Sequence, residues 1–405
     1  MIKSEKSVMA SIVLVTMLMF FILSISKGEF DFKAIIVGAL SSILMLVAHF
    51  IVKKFYPKGD KFLLIVPAFL TQFGLVMLYR LNPSIAMKQL SWIVAGMAIY
   101  IIILIFMPDI KRFEKFDRWF IIGAVIFLVL PLLIGKEKMG ARNWVSIGGF
   151  GFQPSEIAKL FIIMYLANIY KIKDKKDILK FAIPIFIGLG ILVVEKDLGG
   201  VLIIFGIFTT VLYIGTSNLK YIWGAIGFFS IGGTLSYFIF NHVKRRVDIW
   251  IDPWKDKYGA GHQIVQSMFA IGTGGLFGTG LGLGNPEFVA VVESDFIFAA
   301  ICEEMGMIGA LAIILLYLIL VYRGLRVALY ARDGYARLVA VGITSMVAFQ
   351  VFVIIGGVTK MIPLTGITLP LISYGGTSML ITFVALGVLQ KISQMGRDID
   401  DEESR

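Results

Sequence analysis

The chain has very little cysteine, histidine or charge for its length. Its 405 residues include one cysteine and three histidines, and 16% of them are charged. The single cysteine, Cys302, excludes an intrachain disulfide and a thiolate metal cluster. His49, His242 and His262 are too widely separated in the sequence to indicate a histidine metal site. No metal ligands are therefore predicted.

Apolar residues dominate instead, at 58% of the chain, with a mean hydropathy of +0.88. These values exclude a soluble globular domain and predict an integral membrane protein. About twelve windows have the roughly 17 to 25 apolar residues that cross about 30 Å of hydrocarbon. They lie at residues 8–26, 34–52, 62–79, 89–107, 119–134, 157–170, 181–194, 198–215, 221–240, 296–322, 338–358 and 370–390. The sequence predicts an all-α fold, a polytopic membrane helical bundle.

The positions of Lys and Arg predict how this bundle is oriented. They collect in alternate connections, which the positive-inside bias assigns to the cytoplasm together with both termini. This placement explains the net charge of +11, so nucleic acid is not predicted as a partner. The acidic tail, 395–405, is predicted to be a disordered cytoplasmic end. The basic connections contain Lys53, Lys54, Lys58, Lys61, Lys111, Arg112, Lys115, Arg118, Lys171, Lys173, Lys175, Lys176, Arg323, Arg326, Arg332 and Arg337.

Two outward connections, those after the windows 119–134 and 181–194, carry ionisable residues beside apolar spans. Arg142 and Trp144 precede a helix start at Pro154, after which Glu156 and Lys159 share one helix face. These two residues indicate either a local ion pair or part of a wet, functional interior. The break EKDLGG, which contains Asp197, is likewise either a tight turn or a functional element.

The longest outward connection, 241–295, begins with an amphipathic segment containing Trp250 and Trp254, residues that favour a membrane interface. Its glycine-rich run, 272–284, follows no apolar strand, so a dinucleotide-binding motif is excluded. Asp295 ends the connection. It is either a helix N-cap next to Ser294 or a functional acid, and the N-cap alternative leaves two further buried carboxylates, Glu303 and Glu304, unexplained.

The last outward connection carries Lys360, two prolines and Tyr374. Broken backbone at membrane depth is tolerated only where it is buried in protein or lines a water-filled cavity. The outward connections together predict one water-filled, outward-facing cleft.

Five blocks in these connections closely resemble, in order and spacing, those of the shape, elongation, division and sporulation family, which includes RodA, FtsW and SpoVE. The match runs over roughly 61–394 and makes 1–60 a pair of helices added to a ten-helix core. The blocks are GARNWVSIGGFGFQPSEIAK, EKDLGG, DPWKDKYGAGHQIVQS with its glycine-rich sequel, SDFIFAAICEE and PLTGITLPLISYGG. Two positions depart from the pattern common in the family: Lys196 stands where proline is common, and Glu293 takes a shifted acidic position.

The resemblance implies a peptidoglycan glycosyltransferase. Such an enzyme joins the GlcNAc 4-hydroxyl of one lipid II to the anomeric carbon of a growing strand and expels undecaprenyl diphosphate. Asp295 matches the family's essential aspartate and is expected to be the base, with Glu303 and Glu304 in support. Eight residues are expected to bind substrate or pyrophosphate, with Glu156 and Asp197 orienting the cations: Arg142, Trp144, Glu156, Lys159, Asp197, Gln266, Lys360 and Tyr374.

The resemblance also implies a partner, a class B penicillin-binding protein that crosslinks the strands. No cofactor is required by any pattern in the sequence, although a divalent cation such as Mg2+ or Mn2+ is compatible with the reaction. Two other classes of protein share these features. A lipid II flippase would also need a polar cavity between broken helices, and a scaffold would only activate a partner synthase.

Overall fold

The computed structural model describes residues 2–403 with the exception of 27, 29, 139, 140, 149, 173 and 260. Nearly all secondary structure in these ranges is helical. The α-helices are α1 Ile2–Ile25, α2 Phe32–Phe55, α3 Phe62–Leu81, α4 Pro83–Phe106, α5 Asp117–Ile134, α6 Pro154–Leu166, α7 Lys175–Val194, α8 Leu198–Thr216, α9 Leu219–Ile239, α10 Asn241–Ile251, α11 His262–Gly274, α12 Ile297–Leu329, α13 Gly334–Val358 and α14 Gly376–Glu403.

Eleven of these helices are long and apolar enough to cross a membrane. They account for eleven of the twelve predicted windows, and the all-α, polytopic fold class is confirmed. The twelfth window, 157–170, falls on α6, which has 13 residues and continues as a 3-10 turn over Ala167–Lys171. Division of the chain into 1–60, 61–394 and 395–405 stays a prediction.

Polar side chains satisfy backbone N–H groups at the start of several spans. Asp31, Asn82, Asn218 and Asp333 each accept a hydrogen bond from a backbone N–H in the first turn of α2, α4, α9 and α13. Such caps supply partners that the first turn of a helix cannot find within itself.

The spans differ greatly in how much protein surrounds them. α3 and α13 lie at the centre of the bundle, where 89% and 78% of their most apolar windows are buried. α9 lies at the edge, with 6% buried. The added pair, α1 and α2, packs against α3, where Tyr79 donates a hydrogen bond to Asp31 Oδ2 at 2.7 Å and Ser41 donates to Gln72 Oε1 at 2.8 Å.

One small sheet was not predicted. It has three antiparallel strands in the order β1 Lys136–Lys138, β2 Ala141–Ile147 and β3 Phe150–Phe152. Val145 faces Phe152 and Ser146 faces Gly151, and Gly148 has a positive φ of 59° in the turn between β2 and β3. Because Trp, Val and Ile favour strands, ARNWVSI forms a hairpin strand when it lies outside the hydrocarbon.

Two helix boundaries differ from the predictions at the C-terminal end. The window 370–390 begins in a loop, because Leu371 has a positive φ of 68° and helix α14 starts only at Gly376. A disordered tail was expected, whereas α14 continues to Glu403. Residues 396–403 contain a glycine only at 396 and no proline that would stop the helix earlier.

The spans alternate in direction, so their connections gather at two ends. At one end Asp60 accepts from Arg323 at 3.1 Å, and its backbone N–H donates to Ser393 Oγ at 3.0 Å. These contacts join the start of α3 to the ends of α12 and α14. The connections with the predicted site residues lie at the opposite end.

Candidate active site

Four connections meet at the end of the bundle that carries the predicted site. They are residues 135–153, 195–197, 240–296 and 359–375. Three hydrogen bonds join them in two pairs. Arg142 N donates to Glu195 O at 3.2 Å, Arg246 Nη1 donates to Leu364 O at 3.0 Å, and Tyr374 N donates to Glu293 O at 2.8 Å. The pairs are linked by the electrostatic interaction of Arg246 with Asp197 and by Gly199, directly after the second connection, where a Cβ would lie 2.1 Å from Ile367 Cγ2. These contacts bring the four connections together, and their use as one functional site stays a prediction.

Asp295 lies in the turn that leads into α12. Ser294 Oγ donates a hydrogen bond to Asp295 Oδ1 at 2.9 Å. The backbone of Gly366 faces the other oxygen, since a Cβ at that position would lie 3.4 Å from Oδ2. Burial raises the pKa of Asp295 to about 6, against the opposing effects of Ser294 and Arg246.

The N-cap alternative for Asp295 is wrong. Helix α12 has Phe296 at its N-cap position and no side-chain capping hydrogen bond there. The carboxyl group of Asp295 therefore does not cap helix α12.

The turn that carries Asp295 is held by the loop after α13. Ser373 Oγ donates to Ser294 O at 2.5 Å and accepts from Leu369 N at 2.9 Å. Tyr374, one of the predicted substrate contacts, fixes the same turn through its backbone N–H and is half-buried. This loop therefore sets the position of the acid.

Asp197 joins the starts of α6 and α8. Its Oδ1 accepts from Gly200 N at 2.8 Å, and its Oδ2 accepts from Gln153 Nε2 and Ser155 Oγ, both at 3.0 Å. The residue before it, Lys196, has a positive φ of 67°, so EKDLGG begins with a tight turn, whereas Gly199 and Gly200 belong to α8. The alternative that this break is a functional element stays a prediction. The role of Asp197 in orienting cations stays a prediction.

Glu195, in the same turn, is fully buried, and neither of its carboxyl oxygens has a hydrogen-bond partner among the described residues. Burial, and to a smaller extent the charge of Asp197, raises the pKa of Glu195 to about 9. The side chain is accordingly neutral at pH 7.

Glu156 and Lys159 form the predicted ion pair on α6, with 2.8 Å between Oε1 and Nζ. Lys159 is buried and also contacts Gln350 Oε1 at 3.4 Å. Gln350 Nε2 in turn donates to Thr368 O at 3.1 Å and Ser378 Oγ at 3.2 Å. The amine of Lys159 thus connects α6 to the loop that holds Asp295, and its binding of pyrophosphate stays a prediction.

The other predicted binding residues lie in the connections at the same end of the bundle. Arg142 is exposed on β2 and donates from Nε to Gly135 O at 3.0 Å. Trp144, further along β2, is half-buried. Lys360 donates from Nζ to Ile251 O at 3.4 Å, at the end of α10. Gln266 is half-buried on α11.

Glu303 and Glu304 serve a break in α12. Gly306 has φ 66° and ψ −172°, which interrupts the helix. Thr279 N and Gly280 N donate to the carbonyls of Glu303 and Glu304 at 2.9 and 3.0 Å, so the glycine-rich segment supplies the partners that the helix lacks.

The side chains of the two glutamates hold the same segment. Glu303 Oε1 accepts from Asn285 N at 2.7 Å. Glu304 Oε1 accepts from Arg80 Nε at 2.8 Å, and Arg80 also donates from Nη2 to Gly284 O at 2.7 Å. The sequence reasoning missed Arg80, which sits at the end of an apolar window.

Arg246 is the second residue that the sequence reasoning missed. It interacts electrostatically with both Asp197 and Asp295. His242, Arg246 and Trp250 follow each other at four-residue spacing on one face of α10, a signal that could have singled them out. Trp250 Nε1 donates to Lys360 O at 3.1 Å, so this face lies against the loop after α13.

The described residues contain no group of three or more His, Cys, Asp or Glu side chains that could hold a metal ion. Mg2+, however, is commonly bound by only one or two carboxylates together with substrate phosphates. The predicted absence of a metal requirement stays a prediction.

The fold and this end of the bundle define a multi-pass membrane protein with a half-buried acid that interacts electrostatically with an arginine. A family model described as "Cell cycle protein", which covers FtsW, RodA and SpoVE, matches residues 60–398. This chain belongs to the FtsW/RodA/SpoVE family, and the resemblance inferred from the five sequence blocks is confirmed.

Curated relatives agree with this assignment. Peptidoglycan glycosyltransferase RodA of Mycobacterium tuberculosis (strain ATCC 25618 / H37Rv) is 37% identical over 381 residues, covering 86% of this chain and 81% of the relative. Stage V sporulation protein E of Bacillus subtilis (strain 168) is 34% identical over 359 residues, covering 84% and 98%. The predicted enzyme class, a peptidoglycan glycosyltransferase, is confirmed by the relatives that carry this name.

Solved structures share the fold. A chain described under "Structural coordination of polymerization and crosslinking by a peptidoglycan synthase complex" superposes with a TM-score of 0.73 at 25% identity, covering 84% of this chain and 98% of that one. RodA of Thermus thermophilus superposes with a TM-score of 0.63 at 26% identity, covering 83% and 96%.

The break in α12 generates a stability prediction. In Gly306→Ala the new Cβ would collide with Gly278 N and Leu276 O, and the backbone conformation is one that essentially only glycine adopts. We expect a loss of about 3 kcal/mol in the free energy of unfolding, measured as a lower thermal unfolding midpoint in detergent.

Gly224→Ala on α9 is the matched control, because a Cβ there meets nothing within 4 Å. Alanine in an open helical position should be neutral or stabilising by up to about 1 kcal/mol. Equal midpoints for Gly306→Ala and the unaltered protein would contradict the assigned role of the break.

Proposed function

We propose that this chain polymerises lipid II into β-1,4-linked glycan strands at the outer face of the bacterial cell membrane, with release of undecaprenyl diphosphate. The observation that carries the proposal is the half-buried carboxyl group of Asp295, which interacts electrostatically with the Arg246 guanidinium, in a chain of this family. An α-linked donor that becomes a β-linked product requires inversion, which a single in-line displacement gives.

Asp295 acts as the general base in this proposal. It accepts the proton of the GlcNAc 4-hydroxyl while the hydroxyl oxygen attacks the anomeric carbon, and the bond from that carbon to the diphosphate oxygen breaks. A raised pKa supports this role, because a carboxylate with a pKa of about 6 is a stronger base than an ordinary aspartate and is still deprotonated at neutral pH.

The departing diphosphate needs positive charge. Arg142 is exposed and Lys360 lies at the outer rim beside α10, so both are accessible to a lipid diphosphate. Lys159 is buried and paired with Glu156. This favours a role in holding the loop after α13 over direct contact with the diphosphate. Trp144, Gln266 and Tyr374 remain candidates for contacts with the sugars.

A divalent cation, Mg2+ or Mn2+, is compatible with a diphosphate leaving group. Because the described residues offer no cluster of metal ligands, no step of the proposed mechanism depends on one.

We also propose that a class B penicillin-binding protein is the partner and that both termini are cytoplasmic. The structural neighbour that belongs to a peptidoglycan synthase complex supports the partner. The positive-inside distribution of Lys and Arg supports the orientation.

The role of Asp295 can be tested with Asp295→Asn. General bases typically contribute about 10²–10⁴ in rate, so purified variant and partner should form glycan strands from lipid II at least about a hundredfold more slowly than the unaltered protein. Asp248→Asn, the same change at an exposed position on α10, should leave the rate unchanged.

The outcomes also separate the alternatives. Normal polymerisation by Asp295→Asn together with failed lipid II translocation would support a flippase. If neither activity depends on Asp295, the scaffold reading gains.

The pKa of Asp295 generates a pH prediction. Below about pH 6 the carboxyl group is protonated and cannot accept the hydroxyl proton, so kcat/KM should fall about tenfold for each pH unit and level off above that value. The measurement is the rate of strand formation across a pH series. A flat profile through this range would contradict Asp295 as the base.

The orientation can be tested by cysteine labelling, because Cys302 is buried. Lys255→Cys and Lys115→Cys place single exposed thiols at opposite ends of the bundle. A membrane-impermeant maleimide should label the first in intact spheroplasts and the second only after permeabilisation. The reverse pattern would contradict the proposed orientation.

A further inference from the structure

Helix α10 brings a cation to the two carboxylates of the site. Arg246 is half-buried, and its Nη1 donates to Leu364 O at 3.0 Å. Leu364 is two residues from Gly366, whose backbone faces Asp295 Oδ2. One short stretch of loop thus fixes the guanidinium and the acid relative to each other.

We propose that Arg246 is the positioning residue of this active site, which holds the Asp295 carboxylate charged and aimed at the acceptor hydroxyl while anchored to the Leu364 carbonyl. The proposal rests on the proposed function, since it assigns a task to Arg246 only if Asp295 is the base.

The chemistry of arginine suits this position. A guanidinium has five N–H donors in a fixed plane, is always charged and is weakly hydrated, so it tolerates partial burial beside carboxylates. One N–H group of Arg246 donates to Leu364 O and anchors the guanidinium. Its other N–H donors point in other directions. A lysine would carry the charge without this fixed geometry.

The charges around Asp295 explain why one cation matters. Its own turn contributes Ser294 and the acidic residue Glu293, and α10 contributes Arg246. The adjoining loop residues Leu364, Thr365 and Gly366 carry no charge. Arg246 is shared with Asp197 on the α7–α8 turn, where Lys196 lies next to it.

His242, one turn before Arg246 on α10, adds little charge. Burial lowers the pKa of His242, and the positive charges of Arg246 and Lys196 lower it further, so its ring is neutral at pH 7. Arg246 is therefore the cation that offsets the burial of Asp295.

The test compares Arg246→Gln, Arg246→Lys and the control Arg245→Gln in the lipid II polymerisation assay. Arg245 is the exposed neighbour on the same helix, so its change removes the same charge away from the site. The acid limb is the part of the kcat/KM profile in which the rate falls as the pH is lowered. For Arg246→Gln we expect this limb to shift to higher pH by about one unit, because the carboxylate loses its cation. At pH 6 this is a loss of up to about tenfold that higher pH restores.

Arg246→Lys should keep the acid limb of the unaltered protein and lower the plateau rate, because the charge is retained while the bond to Leu364 O is lost. Arg245→Gln should match the unaltered protein in both respects. A lower rate for Arg246→Gln with an unmoved acid limb would overturn the proposal and leave a structural role. If Arg246→Gln does not fold, the other two variants decide. An acid limb that shifts by the same amount in Arg246→Lys and in Arg245→Gln, relative to the unaltered protein, overturns the proposal.

The proposed function has its own readout in the same experiment. An unaltered protein that forms no strands, or an active Asp295→Asn variant, would refute Asp295 as the base before any comparison of the arginine variants. An inactive Asp295→Asn with an unmoved limb in Arg246→Gln refutes only the positioning role.

Discussion

Hydrocarbon offers no partner to a backbone N–H or carbonyl, and this constraint shapes every irregular part of the protein. The break at Gly306 would leave the carbonyls of Glu303 and Glu304 without partners inside a membrane-spanning helix. Residues 279 and 280 supply the missing N–H groups. Arg80 joins the side chain of Glu304 to the glycine-rich segment through its hydrogen bond to Gly284 O. The glycines of the segment allow its backbone to approach that closely.

A second consequence concerns charge. Carboxylates at the edge of the hydrocarbon are costly unless they are neutral, paired or hydrogen-bonded. Each acid at the site meets this requirement differently. Glu195 is neutral, Glu156 is paired with Lys159, and Asp197 accepts three hydrogen bonds. Asp295 has one hydroxyl donor and an electrostatic interaction with one cation, Arg246, which fits the catalytic role proposed for it.

The sequence predicted the fold class, eleven of the spans and the set of connections that meet, because apolar length and charge placement are local properties. It also singled out Asp295 through its family block. It missed Arg80, whose partner Glu304 lies 224 residues away, and Arg246, which stands in a long connection directly after two other basic residues, Lys244 and Arg245. Pairings of this kind depend on how helices pack, and no local pattern carries them. The hairpin at 136–152 was missed because short strands outside a membrane give a weak signal beside long apolar windows.

The two N-terminal helices and the glycine-rich segment both contact the C-terminal end of α3, through Tyr79 and Arg80 respectively. This part of the bundle supports the α12 break, whereas α10 and the loop after α13 build the site. The two regions are linked along α12, whose first residues follow Asp295 directly. Support for the break is thus also support for the position of the acid.

The central claim is that Asp295 receives the proton of an acceptor sugar hydroxyl. A structure of the protein with bound lipid II tests it most directly. The account predicts the GlcNAc 4-hydroxyl within hydrogen-bond reach of Asp295, about 3 Å, with the diphosphate on the side of Arg142 and Lys360. A lipid II headgroup held elsewhere, with Asp295 facing acyl chains, would contradict it.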